Sequence, residues 1–174
     1  MIPKLGIMQG RLLPKFSGRY QAHPLGYWED EFSIASDLGL KCIEFIFDFN
    51  DYQQNPLFSN DGIREIEKIS TKTGVKVYSV CADFFMECPL HSKVEEERSF
   101  SKSILIELLQ NCNELKIKDI VIPCVDQSSL SDPQCIELFK AQILDVIPIA
   151  ENLGINLSLE TDLPPLSFKE LLNE

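Results

Sequence analysis

The chain has 174 residues, of which 44% are hydrophobic and 25% charged, as expected for one globular domain and not for a disordered segment. Its 27 acidic and 16 basic residues give a formal net charge of -11, which disfavours a nucleic acid partner because phosphates would be repelled. No apolar stretch approaches the length of a membrane span and the N-terminal residues do not resemble a signal peptide, so we expect no membrane contact and a cytoplasmic location.

The six cysteines exclude two classes of protein. No two of them are spaced as C-x-x-C, so the zinc-ribbon and thioredoxin patterns are absent. Cys42, Cys81 and Cys124 lie in apolar, strand-like runs. We therefore expect them to be buried, reduced thiols that behave as small hydrophobic side chains.

In chain order, one pattern occurs four times after a first short strand at residues 4–9. A helical segment ends, a turn residue follows, and a β-rich run begins; the copies occupy residues 37–47, 72–80, 114–122 and 152–160. The turn residue must adopt a left-handed conformation to end the helix. It is a glycine in the first, second and fourth copies (Gly39, Gly74 and Gly154) and Lys116 in the third. These positions are 35, 42 and 38 residues apart, about the length of one βα unit.

The repeat predicts strands two to five at residues 42–47, 75–82, 119–124 and 156–160, and helical periodicity predicts helices at 29–38, 61–73, 93–115 and 133–152. Asp61 is a candidate helix cap, Ser131 and Asp132 before Pro133 are typical of a helix start, and Pro148 should kink the last helix or split off its final turn.

Strands that alternate with helices predict an α/β fold with a parallel sheet. We expect one domain over residues 1–174: a partial (β/α) TIM barrel of about five βα units, with the C-terminal strands absent. A doubly wound open sheet is the alternative. Its nucleotide-binding form is disfavoured, because no G-x-G-x-x-G follows the first strand.

Function in such a fold is expected where the strands end. Polar or aromatic residues occupy each end: Gln9 and Arg11 after strand one, Glu44 in strand two, Asp83 and Phe84 after strand three, Asp126 after strand four and Glu160 in strand five. Each also has a structural interpretation. Glu44 could be a buried, hydrogen-bonded carboxylate, Glu160 an exposed rim residue, and Phe84 loop packing. Strand parity places Ser158 and Glu160 inside the barrel and Leu157 and Leu159 against the helices.

Five motifs together resemble the xylose isomerase-like TIM barrel superfamily, and most closely its sugar phosphate isomerase/epimerase group. They lie at residues 4–11, 38–44, 74–80, 120–123 and 157–160. The resemblance implies that Glu160 binds a divalent metal ion and takes part in acid/base catalysis. The other family ligands, an aspartate, a histidine and a second glutamate, come from strands six to eight, which this sequence does not include.

The function implied is a metal-dependent isomerase or epimerase of a small sugar or sugar phosphate, with proton transfer next to a metal-bound carbonyl. Mn²⁺, Mg²⁺ or Co²⁺ would suit such a site, and Zn²⁺ is an alternative. Gln9, Arg11, Glu44, Asp83, Phe84 and Asp126 are the candidate substrate-binding residues. This chain alone is expected to lack a complete site.

Two alternatives stay open. The chain could be a catalytically incompetent barrel fragment that needs a missing half or a partner chain; exposed sheet edges also predict a homo-oligomer. It could instead be a lyase, a dehydratase or an abasic-site endonuclease of the same superfamily. Asp83 and Cys124 stand near strand ends where the nuclease branch has histidines, which argues against that branch.

Overall fold

The computed structural model describes residues 5–173, and its centre is a five-stranded parallel sheet. The strands follow one another across the sheet in chain order: β1 (Gly6–Met8), β2 (Cys42–Ile46), β3 (Lys76–Cys81), β4 (Asp119–Cys124) and β5 (Asn156–Thr161). All five predicted strands are confirmed to within two residues where they can be compared; the start predicted for the first, Lys4, lies outside the described residues. A sequential strand order is that of a barrel wall. In a doubly wound sheet the strands are also parallel, but their order reverses near the middle of the sheet.

Helices cover one face of this sheet. They are α1 (Asp30–Asp37), α2 (Asn60–Thr73), α3 (Phe84–Glu87), α4 (Glu95–Glu114), α5 (Pro133–Leu153) and α6 (Pro165–Leu172). Four correspond to the predicted helices. The other two were not predicted: α3, at four residues, is too short to show a helical period, and the eight residues of α6 begin at the second of two consecutive prolines.

The helix caps correct one prediction and confirm another. Ser59, not Asp61, caps α2, because its side chain accepts a hydrogen bond from the Gly62 amide at 3.0 Å. Asp61 is the second residue of α2, and its carboxylate forms an ion pair with Arg64. Asp132 caps α5 as expected and accepts from the Gln134 amide at 2.9 Å.

Of the two effects predicted for Pro148, the loss of the last turn of α5 is wrong, since the helix continues through Pro148 to Leu153; a kink at Pro148 stays a prediction. The residues that end the helices are as predicted. Gly74 and Gly154 have φ angles of 73° and 66°. Lys116 adopts the same left-handed conformation, with a φ of 59°, although this is less favourable for a side chain than for glycine.

The apolar core lies between the sheet and the helices. Ile43, Phe45 and Val80 are fully buried on the helix side of the strands. Above them Phe47 stacks between Phe58 and Phe84, with ring centroids 4.6 and 5.3 Å apart. Burying each such side chain contributes about 2 kcal/mol, so this cluster fixes the loops that follow β2 and β3.

No helix between residues 5 and 173 has the length and apolar character needed to cross a membrane. Cys81 and Cys124 are buried as expected and, like the buried Cys88 and Cys112, form no disulfide. The same expectation is wrong for Cys42, which is only partly buried.

Candidate active site at the carboxyl ends of the strands

Polar side chains form a row across the inner face of the sheet, opposite the helices. Glu44, Ser79, Asp119 and Asn156 are in register on four neighbouring strands. The Ser79 hydroxyl donates to Glu44 at 2.6 Å, and the Asn156 amide donates to Asp119 at 3.1 Å. The half-buried carboxylate of Glu44 therefore has the partner that its apolar strand required.

Two carboxylates lie nearer the carboxyl ends of the strands. Glu160 is in register with Pro123 of β4, and Cys81 is in register with Val121, two residues earlier in β4. Asp83 follows Cys81 by two residues, so it lies on the same level as Glu160, two strands away. Two strand spacings separate their backbones by about 10 Å. Glu160 is exposed, while Leu157 and Leu159 line an apolar groove against α5 and α6, as strand parity predicts.

Asp83 is the carboxylate with the most structured surroundings. The Cys81 thiol donates to its Oδ1 at 3.0 Å and the Gln21 amide donates to its Oδ2 at 3.3 Å. Burial raises the pKa of Asp83, and the negative charges of Asp48 and Glu160 raise it further, although the two hydrogen bonds act in the opposite direction. Asp83 therefore holds a proton more readily than an ordinary aspartate.

Gln21 connects this carboxylate to a cation. The Arg11 guanidinium donates to Gln21 Oε1 at 3.2 Å, and the other end of the same amide donates to Asp83. Arg11 is exposed, and its guanidinium carries five N–H donors, of which one bonds Gln21. Gln21 was not among the predicted site residues, because it lies in a loop far along the chain from Asp83 and no local pattern marks it.

A buried carboxylate shapes the loop that presents Arg11. Glu31, in the first turn of α1, is fully buried and accepts hydrogen bonds from the amides of Gly10 and Leu12 at 2.7 and 3.0 Å. Burial raises its pKa. Gly10 has a φ of 84°, and an added Cβ would lie 2.1 Å from the carbonyl oxygen of Tyr20, so only glycine fits there.

A second ion pair lies beside this cluster. Arg19 donates to Asp48 Oδ1 at 3.2 Å, and the His23 amide donates to Asp48 Oδ2 at 2.7 Å. Asp48 is 7% exposed, so these bonds satisfy a carboxylate that would be costly to bury alone. Sequence reasoning selected neither Arg19 nor His23 as a functional residue.

The remaining three candidate residues lie outside the group formed by Arg11, Gln21 and Asp83. Gln9 is fully buried, and its Oε1 accepts from the Ile46 amide at 3.0 Å. Phe84 is also fully buried, in the aromatic cluster. Asp126 is exposed and begins a short 3₁₀ turn. The structure thus brings Arg11, Asp83 and Glu160 to one rim, with Glu44 below them.

The described residues do not by themselves fit a metal ion. Between residues 5 and 173, no three His, Cys, Asp or Glu side chains are grouped closely enough to hold one. Glu160 offers carboxylate oxygens of the kind that Mn²⁺ and Mg²⁺ prefer, but as a single ligand. Further ligands would have to come from outside the described residues.

Comparisons with known proteins identify the family and the fold of this chain. A family model described as the xylose isomerase-like TIM barrel matches residues 32–171. That match covers most of the chain, which therefore belongs to this family. No curated protein matches the sequence in a direct comparison.

Solved structures give the same fold at low identity. A D-psicose 3-epimerase solved in the presence of D-fructose superposes with a TM-score of 0.65 and 19% identity over 89% of this chain and 51% of its own. The 3-keto-D-glucoside 4-epimerase YcjR from E. coli gives 0.65 and 16% over 90% and 55%. The IolI protein, solved with a zinc atom, gives 0.69 and 14% over 98% and 58%. The chain spans about half the length of these neighbours, so it forms part of a barrel.

Proposed function

We propose that the barrel to which this chain contributes is a metal-dependent isomerase or epimerase of a small sugar or sugar phosphate. The observation that carries the proposal is Glu160, an inward carboxylate at the end of β5 that lies level with Asp83. Membership of the xylose isomerase-like family supports it, as do epimerases among the structural neighbours.

The proposed chemistry assigns a task to each residue of the rim. Glu160 supplies one metal ligand and a carboxylate near the reacting carbon, and a bound Mn²⁺, Mg²⁺, Co²⁺ or Zn²⁺ would polarise the substrate carbonyl. Asp83, whose pKa is raised, can hold a proton and release it to a substrate oxygen. Arg11 orients a hydroxyl or phosphate group by donating hydrogen bonds.

The other candidate residues are given supporting tasks. Glu44 lies below the rim and can accept from a substrate hydroxyl in addition to Ser79. Gln9 and Phe84 hold the loops around the site, and Asp126 lies on a loop at the same end of the sheet. We further propose a cytoplasmic setting, in which the buried thiols stay reduced.

The activity is proposed for the completed barrel, that is, this chain together with the further strands that would close the sheet. The described strands form only one wall of such a barrel. The edges of β1 and β5 have no strand partner within residues 5–173. This observation favours the second candidate function, a barrel unit that works only with further strands, supplied by the same chain or by another copy. A lyase or dehydratase on the same scaffold would share the first proton transfer and would differ by loss of water from the product.

The test is a calorimetric titration of the completed barrel with Mn²⁺. Glu160→Gln should abolish binding, because the neutral amide is a much weaker ligand for a divalent ion than a carboxylate. Glu151→Gln, an equivalent change of an exposed glutamate on α5, should leave binding unchanged. An unchanged titration for Glu160→Gln would contradict the assignment.

A further inference from the structure

A polar cavity of about 280 Å³ lies beside the carboxylate rim, between the loops at residues 16–25 and 48–55. Its polar lining includes Arg19, His23, Asp48, Asn50, Asp51 and Asn55. At the volume of liquid water this space would hold about nine water molecules, which suits a ligand of monosaccharide size. None of these six residues has a task in the proposed metal chemistry.

The inner wall of the cavity is held in place before any ligand arrives. Asn55 is 2% exposed; its amide donates to the Ile46 carbonyl at 2.9 Å and its oxygen accepts from the Leu57 amide at 3.1 Å. Asp48 is fixed by Arg19 and by the His23 backbone. A site built from such fixed groups loses little conformational entropy when it binds.

His23, in the lining of the cavity, has a ring nitrogen that can accept a hydrogen bond. Its Nδ1 lies 3.2 Å from Gln9 Oε1, which can only accept, so Nδ1 carries the proton. Burial lowers the pKa of His23 to about 4, and the ring is therefore neutral with a lone pair on Nε2. Nε2 is buried and has no hydrogen-bond partner among the residues that the structure describes. A hydrogen-bond donor that reached it would face little competition from water.

The charges of the lining define the ligand further. Arg19 contributes one positive charge, Asp48 and Asp51 contribute two negative charges, and the neutral His23 contributes none. A phosphate or carboxylate would be repelled. Hydroxyl groups suit this lining, because a hydroxyl can donate to His23 or Asp48 and accept from Arg19 or Asn50.

We propose that this cavity binds a neutral polyhydroxylated molecule, an unphosphorylated sugar or polyol. The choice of a sugar rests on the proposed function, whereas the preference for a neutral hydroxylated ligand rests on the lining alone. Asp48 belongs to this cavity and also lies within electrostatic reach of Asp83, so a molecule held here borders the carboxylate rim. The substrate class is thereby narrowed to sugars without a phosphate at this end.

The test uses the 174-residue chain, labelled with ¹⁵N and titrated separately with D-fructose and D-fructose 6-phosphate. The expected result is a saturable shift of the Arg19, His23 and Asn50 amide signals with fructose, and binding of the phosphate at least tenfold weaker. No saturable shift, or equal affinity for the two sugars, would overturn the proposal.

Two substitutions test whether the sugar contacts the lining of this cavity. His23→Phe keeps an aromatic ring but removes Nε2, and fructose should bind at least tenfold more weakly; His91→Phe, the same change at the other buried histidine, should bind as the unsubstituted chain does. Asn50→Ala, at an exposed side chain, should weaken binding without unfolding the protein if His23→Phe proves unstable. Equal binding by His23→Phe when folded, or otherwise by Asn50→Ala, would refute the site.

The cavity and the metal site can be tested independently of each other. Glu160→Gln should keep the fructose-induced shifts, because Glu160 does not line the cavity. Loss of Mn²⁺ binding in Glu160→Gln without any fructose binding in the unsubstituted chain would support the metal site and reject the cavity. If fructose binding depends on His23 while metal binding is unchanged in Glu160→Gln, the cavity is supported and the metal site is rejected.

Discussion

Acidification should destabilise this chain through one buried histidine. His23 is 3% exposed and packs against Phe45 and Trp28, with ring centroids 5.3 and 6.3 Å away. Burial lowers its pKa from 6.5 to about 4. The unfolded chain therefore takes up a proton at a pH where the folded chain does not. The resulting stability is complete above pH 6.5 and is lost as the pH falls toward the folded pKa.

The size of the effect follows from the change in pKa. At about 1.4 kcal/mol per pKa unit, burial of His23 makes the folded chain about 3 kcal/mol less stable at acid pH than at neutral pH. That is a large share of the roughly 5–15 kcal/mol that stabilises an ordinary domain. His91 acts in the same direction, since burial also lowers its pKa. Glu31 and Asp83 act in the opposite direction, because their raised pKa values favour the folded state at low pH.

Urea unfolding of the unsubstituted chain and of His23→Phe, near pH 7 and near pH 4.5, isolates the histidine. The other titrating groups are common to both proteins, so they cancel in the comparison. The unsubstituted chain should lose more stability on acidification than His23→Phe, by an amount that approaches about 3 kcal/mol at the lowest pH where both remain folded. Equal losses in the two proteins would refute the assignment of a neutral, buried His23.

Three further outcomes follow from the structure. Asp83→Asn should reduce the loss of stability as the pH rises through the carboxyl pKa, measured as the thermal midpoint by circular dichroism; an unchanged profile would show that the Asp83 pKa is ordinary. Gly10→Ala should cost about 2 kcal/mol or more in urea unfolding, because the new Cβ would meet the Tyr20 carbonyl. The open edges of β1 and β5 should make the chain self-associate in light scattering, and a monodisperse monomer would contradict that expectation.

The elements of the fold were predictable because their signals are local. A strand needs a short apolar run, a helix needs a period of 3.6 residues, and the turn between them needs a left-handed residue, supplied here by Gly74 or Gly154. The error at Asp61 has a local cause as well. Ser59 and Asp61 are both good caps, and only the backbone conformation decides which side chain faces the free amides.

The site was only partly predictable because its contacts join distant loops. Arg11, Asp83 and Glu160 could be chosen from their positions at strand ends. Gln21 bridges Arg11 to Asp83, and Glu31 fixes the backbone on both sides of Arg11. Neither has a sequence signal that separates it from other polar residues. Their importance comes from burial and from hydrogen bonds that span 10 to 62 residues of the chain.

Glu160 is proposed to take part in metal-assisted proton transfer on a sugar, and deuterium exchange tests this role most directly. The completed barrel would be incubated with D-fructose and Mn²⁺ in D₂O, and the hydrogens on the carbons next to the carbonyl followed by proton NMR. We predict loss of one carbon-bound hydrogen signal with the unsubstituted barrel and no loss with Glu160→Gln. Exchange at the same rate in Glu160→Gln would contradict this role of Glu160.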